Sequence, residues 1–107
     1  MKDNYDQKCP LECFCEKKYS RVYADCRDGD IDDFASMAGQ IQFDVHVLDL
    51  RENELDQLPD DVFGRYNDLE KLLLDDNDKL KDGIEEAAFR GLMKLKALHA
   101  RYIEDYK

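Results

Sequence analysis

Four cysteines are the residues whose types and spacing are most suggestive of chemistry, and they are crowded into one stretch: Cys9, Cys13, Cys15 and Cys26, with none beyond. A tetrahedral zinc site usually comes as paired knuckles with two to four intervening residues. Here the gaps are three, one and ten, so no metal is assigned to them. A dithiol redox pair needs Cys-x-x-Cys, and Cys13-Phe14-Cys15 is one residue short of it. What remains is cross-linking, as a local knot of two disulfides rather than a framework for the whole chain. Such knots belong in oxidising compartments. Spacing alone permits three connectivities.

The nine residues from Asp25 to Asp33 carry five aspartates, which raises calcium. An EF-hand loop started at Asp28 would offer Asp30 and Asp32, but it places Asp33 where the sharp turn needs Gly and Gly39 where a bidentate Glu should sit. A calcium site of another kind stays open. The alternative is a solvated loop in which Asp30 caps a short helix, because Ile31, Phe34, Ala35 and Ala38 share one helical face. The two histidines, His46 and His99, fall in separate segments, and there is no nucleophile elbow or phosphate loop. The chain is therefore not expected to be an enzyme or to need a cofactor.

The formal charge of −10 opposes nucleic acid and anionic lipid, both of which need a basic surface. A basic or neutral protein partner is easier to accommodate. No run approaches the roughly 18 apolar residues of a membrane span, so no direct membrane insertion is expected here. Residues 1–8 are polar, without the apolar stretch of a secretion signal, and are read as a disordered tail in which Met1 is an added start on a mature fragment. With no threonine, and serine only at Ser20 and Ser36, there is no glycosylation sequon. At 107 residues one domain with a thin core is expected, in need of covalent staples.

The elements that would position these residues emerge from aligning the second half of the chain on itself. Val45-x-x-Leu48-x-Leu50-x-x-Asn53-x-Leu55 is followed by Leu69-x-x-Leu72-x-Leu74-x-x-Asn77 and by Leu95-x-x-Leu98-x-Ala100, with starts 24 and then 26 residues apart. The alternation inside each unit is the period-2 mark of a short strand with one buried face. The recurrent Asn can satisfy main-chain groups of the turn that leaves the strand. Leu58-Pro59-x-x-x-Phe63-x-x-Tyr66 and then Phe89-x-x-Leu92 repeat on the return segments, where an aromatic at a fixed place lets coils stack an apolar spine. Extra residues around Asp78 to Gly83 are placed as a bulge, and Ile84 to Leu92 is expected to make about two helical turns. Pro59 and the period-2 stretches rule out one long amphipathic helix.

This pattern resembles the extracellular leucine-rich-repeat family of the typical 24-residue class, which includes Slit-like, Nogo-receptor-like, Toll-like and lamprey variable lymphocyte receptor-like proteins. Cys9-Pro10-Leu11-Glu12-Cys13-Phe14-Cys15, with Cys26 after Arg21-Val22-Tyr23-Ala24-Asp25, looks like that family's N-terminal cysteine cap. The resemblance implies an α/β leucine-rich-repeat solenoid with a short parallel sheet on its concave face and loops and short helices on the convex side. It also implies bridges Cys9 to Cys15 and Cys13 to Cys26. The first coil of a solenoid exposes its apolar cross-section and a strand edge, which a capping strand at about Ser20 to Asp25 would cover. The expected organisation is a tail over 1–8, a cap over 9–44 and two full repeats and one partial over 45–107.

In function, the resemblance implies an extracellular protein-interaction module, the N-terminal ligand-binding fragment of a secreted or cell-surface receptor, in a family that serves signalling, adhesion and innate immunity. Outward positions of stacked strands should line up as rows of His46, Glu70 and Lys96; Val47, Lys71 and Ala97; Asp49, Leu73 and His99; Arg51, Asp75 and Arg101; Glu52, Asp76 and Tyr102. Glu70 beside Lys96, and Asp75 between Arg51 and Arg101, would form attractive pairs about 4.8 Å apart. Ligand binding is assigned to His46, Val47, Asp49, Arg51, Glu70, Lys71, Leu73, Asp75, His99, Arg101 and Tyr102, with Val47, Leu73 and Tyr102 as apolar anchors. The family's C-terminal cysteine cap has no counterpart in this sequence. An alternative role is therefore a structural module that forms homodimers through its last repeat edge.

Overall fold

The computed structural model describes residues 9–41, 44–80, 84–85 and 87–100. The expected tail over 1–8 and the expected contact residues Arg101 and Tyr102 lie outside the described residues. Among the described residues five strands form one sheet in chain order: β1 (Phe14–Lys18), β2 (Arg21–Asp25), β3 (Val47–Asp49), β4 (Lys71–Leu73) and β5 (Ala97–His99). The first two make an antiparallel hairpin, and from β2 onward every pair is parallel. Parallel neighbours need a crossover between them. The return segments of the repeat supply it, one for each 24 to 26 residues.

The alternation foreseen in the repeats sets the inside of the coil. Leu48, Leu50, Leu72 and Leu74 are fully buried, joined by Leu55, Leu58, Leu69 and Leu80. On the return side Phe34, Phe63 and Phe89 stack coil on coil, with ring centroids 5.0 and then 5.8 Å apart. Aromatic contacts at these separations add to what burial alone contributes. The spine thus begins one coil earlier than the repeat alignment indicated, because Phe34 comes from the cap. Tyr66, also fully buried, donates from its hydroxyl to the carbonyl of Ala38 at 3.0 Å.

The strand-to-return turn has the same conformation three times. Asp28, Glu52 and Asp76 stand 24 residues apart and all take the left-handed backbone, with φ of 51, 58 and 65°. Behind the second and third comes the polar anchor of the turn. Asn53 donates to the carbonyls of Cys26 and Leu50 and accepts from the amides of Gly29 and Ile31. Asn77 repeats this one coil on, donating to Leu50 and Leu74 and accepting from Leu55. The cap coil has Gly29 at the corresponding place, and a Cβ there would sit 3.0 Å from the Glu12 carbonyl oxygen. A side chain there would crowd the cap loop, and the turn of the cap coil is held by Asn53 of the next coil.

The bridges are Cys9–Cys15 and Cys13–Cys26, and no described cysteine is free. Together they pin β1 and β2 over the end of the solenoid. The capping strand is β2, as expected, and β1 is a further strand that the sequence reading missed.

Two local expectations are corrected. The short helix, here α1, spans Phe34–Ala38 and is capped by Asp33, whose carboxylate accepts from the amide of Ser36 at 3.2 Å. Asp30 instead lies on the left-handed side at φ 56°, and Ala35 is exposed while Met37 is buried. The residues described between Ile84 and Leu92 form turns rather than two helical turns, with Ala88 bonded to Glu85 and Arg90 to Ala87. So short a segment gains little from helix formation by itself. A parallel bridge from Ile84 to Leu58 and the burial of Ala88 hold it to the preceding coil instead. In the stretch placed as a bulge, Asp78–Leu80 is a single 3-10 turn that buries Leu80.

Candidate protein-binding face

Residues that alternate with the buried leucines point out of the sheet, and the observed register sets them in rows that run across the strands. One row is Glu16, Tyr23, Val47, Lys71 and Ala97. The next is Phe14, Asp25, Asp49, Leu73 and His99. The repeat part of both rows stands in the expected register. What sequence reasoning missed is that the cap continues them, adding Phe14, Glu16, Tyr23 and Asp25. A signal was present: Tyr23, Asp25 and Arg27 precede Val47, Asp49 and Arg51 by 24 residues each.

Between the two rows runs an open groove of about 380 Å³, bordered by Phe14, Glu16, Tyr23, Asp25, Val47, Asp49, Lys71 and Leu73. Phe14 is 60% exposed, although aromatic side chains normally find cover. Leu73 lies three strands along the same row, with only its edge reaching the surface.

The charges along the edge of the groove are largely committed to one another. Arg27 grips Asp25 with Nε and Nη2, both at 3.0 Å. One coil on, Arg51 grips Asp49 the same way at 2.9 and 2.7 Å. Arg27 also lies 3.5 Å from Asp49, which links the two pairs into a zigzag. The hydrogen bond from Arg27 holds the Asp25 carboxyl below its ordinary range, and the bond to Asp49 raises Arg51. Expected pairings are revised accordingly: the direct partner of Arg51 is Asp49 in its own coil, while Asp75, buried at 3% exposure, contributes an attractive charge.

His46, Glu70 and Lys96 mark the start of the strands, but they do not form the foreseen pair. Glu70 takes Arg21 of the cap at 3.0 Å, not Lys96. Desolvation at the sheet surface works against the Glu70 charge, and the hydrogen bond and charge of Arg21 outweigh it, leaving the carboxyl below its usual value. His46 accepts from the amide of Val22 through Nδ1 at 3.0 Å, so it joins the cap to the first repeat. His99 is two strands from the strand that His46 precedes, and among the described residues no three His, Cys, Asp or Glu side chains gather to hold a metal ion. No helix among them is long and apolar enough to cross a membrane.

Known proteins agree with this architecture. A family model described as leucine rich repeat matches residues 44–102. The chain is 34% identical over 92 residues to the leucine-rich repeat-containing G-protein coupled receptor 5 of Xenopus tropicalis, an alignment that takes in 86% of this chain. It covers 10% of that receptor's length, so the chain matches a small part of it. A disulfide-capped solenoid with a continuous exposed sheet face is a protein-interaction module, and more than half of the sequence matches the repeat model: the chain belongs to the leucine-rich repeat family.

Proposed function

We propose that this chain is the N-terminal ligand-binding part of a secreted or cell-surface receptor, and that it meets a protein ligand with the concave sheet face. The observation that carries this reading is the groove shared by cap and repeats, where Phe14, Tyr23 and Val47, with the edge of the buried Leu73, bring apolar surface together. Aromatic and aliphatic anchors surrounded by polar groups are the usual composition of an interface hot spot. Disulfides in the cap support an oxidising, extracellular setting. The likeness to a receptor supports a signalling role over adhesion or immune recognition.

The test is a surface-scanning set screened against an array of purified secreted and cell-surface ectodomains. Phe14→Ser and Val47→Asp should each weaken a hit by about tenfold or more, as loss of a hot-spot residue does. Arg65→Ala and Lys79→Ala, on the return segments, should not. The opposite pattern would assign binding to the convex side. A dilution series of the chain alone by light scattering tests homodimer formation: concentration-dependent doubling of mass without ligand would favour self-association through the last strand.

A further inference from the structure

The row Glu16, Tyr23, Val47, Lys71 has a polarity that the neighbouring rows lack. Asp25 and Asp49 are neutralised by Arg27 and Arg51. Glu16 and Lys71 are exposed, and among the described residues neither side chain has an ion-pair or hydrogen-bond partner. They stand on β1 and β4 in one register row, with Tyr23 and Val47 between them and Ala97 beyond. Three strand spacings separate them, about 14 Å. An extended chain advances about 13 to 14 Å over four residues and turns alternate side chains to the same side. The two periodicities match.

We infer that the groove takes an extended peptide segment of the partner protein, lying along this row across the strands, with a basic side chain at Glu16, an apolar side chain two residues on over Tyr23 and Val47, and an acidic side chain two further on at Lys71. This rests on the concave face being the binding face, and adds the chemistry of the occupant. In the adjacent row Asp25 and Asp49 stand beside Tyr23 and Val47, and Phe14 and the edge of Leu73 lie beside Glu16 and Lys71, so the central side chain rests on Tyr23 and Val47 with apolar surface at both ends of the groove. The opposing expectation is simple attraction of anything basic to a chain of charge −10, which would favour two basic residues over one of each sign.

The probes are capped synthetic peptides built on Lys-Ser-Phe-Ser-Glu, with versions carrying Lys at both ends, Glu at both ends, or Ser in place of Phe. Binding is followed by heteronuclear NMR titration at about 0.15 M salt, where general attraction is screened. The mixed-charge peptide should bind about tenfold tighter than either single-sign peptide, with shifts at Tyr23, Val47 and their row neighbours, and the Ser version should bind far more weakly. Lys71→Glu should move the preference to the doubly basic peptide and Glu16→Lys to the doubly acidic one. The double variant Glu16→Lys/Lys71→Glu should restore preference for mixed charge, because the peptide can lie in the opposite direction. Both positions are exposed, and unchanged thermal unfolding of each variant confirms an intact fold. Best binding by the doubly basic peptide, equal binding by all, or no binding by any overturns the assignment. Equal binding with shifts confined to the groove would still leave the concave face as the site, whereas shifts elsewhere would remove that reading too.

Discussion

Asn53 and Asn77, one coil apart, donate to the same acceptor, the main-chain carbonyl of Leu50, at 3.0 and 2.9 Å. Each asparagine closes the turn of its own coil and reaches back to the one before. Coil-to-coil cohesion therefore has a polar component threaded through an apolar interior, and a buried polar group is tolerable only when all its bonds are made. Among the described residues no buried side-chain nitrogen or oxygen lacks a partner.

Asn77→Ala should lower stability by about 2 to 4 kcal/mol, because it takes the side-chain partner from the carbonyl of Leu74 and the amide of Leu55, buried away from water, and leaves the carbonyl of Leu50 with Asn53 as its remaining side-chain donor. Asn77→Asp should be costly too, since it removes the donor. Urea denaturation checks both, and a loss for Asn77→Ala under about 1 kcal/mol would mean that water replaces the side chain.

Opening the Cys13–Cys26 bridge with paired alanines should cost about 2 to 5 kcal/mol, the usual range for a native disulfide in a small domain. Hydrogen exchange should then rise first in β1 and β2. Mass spectrometry of non-reduced peptides from the native chain should find only the Cys9–Cys15 and Cys13–Cys26 links.

Tyr66 gives the alkaline limb of stability a defined window. Burial raises its phenol from 10.0 to about 12. The unfolded chain therefore releases that proton first as pH rises, and the contribution of Tyr66 is fully present below pH 10 and is lost between 10 and about 12. Tyr66→Phe should flatten the fall over this window while costing about 1 kcal/mol at neutral pH through the hydrogen bond to Ala38. Thermal unfolding followed across the window by circular dichroism reads both effects.

Protection from hydrogen exchange should decline along the sheet from β3 to β5. Leu48 and Leu72 are fully buried, whereas Leu98 is only partly so, and among the described residues β5 has a strand on one side only. Amides of Ala97 to His99 should exchange well before those of Leu48 and Leu50. Equal protection at micromolar concentration would indicate that another surface covers β5.

The repeats were legible because their strands are half-buried: Leu48 and Leu50, and Leu72 and Leu74, alternate with outward residues, and that pattern survives in sequence. The row register followed from the 24-residue spacing. β1 was hidden because only Cys15 of its five residues is buried, leaving Phe14-Cys15-Glu16-Lys17-Lys18 with no apolar alternation to read. The groove was half seen for the same reason, since two of its apolar members come from the cap. Asp33 was passed over in favour of Asp30 because five aspartates compete within nine residues and any of them can cap; the choice depends on backbone angles that composition does not encode. Glu70 was paired with its neighbour in the repeat, when the cap offered Arg21.

The Asp25–Arg27 and Asp49–Arg51 pairs each lie within one coil, two residues apart in sequence. A coil therefore brings its own counter-ion along with its charge. Duplicating or deleting a whole unit leaves each remaining pair intact, so a gene could lengthen or shorten this solenoid without disturbing these pairs. Sequence variation is then free to accumulate at outward positions outside them, such as Tyr23, Val47 and Lys71.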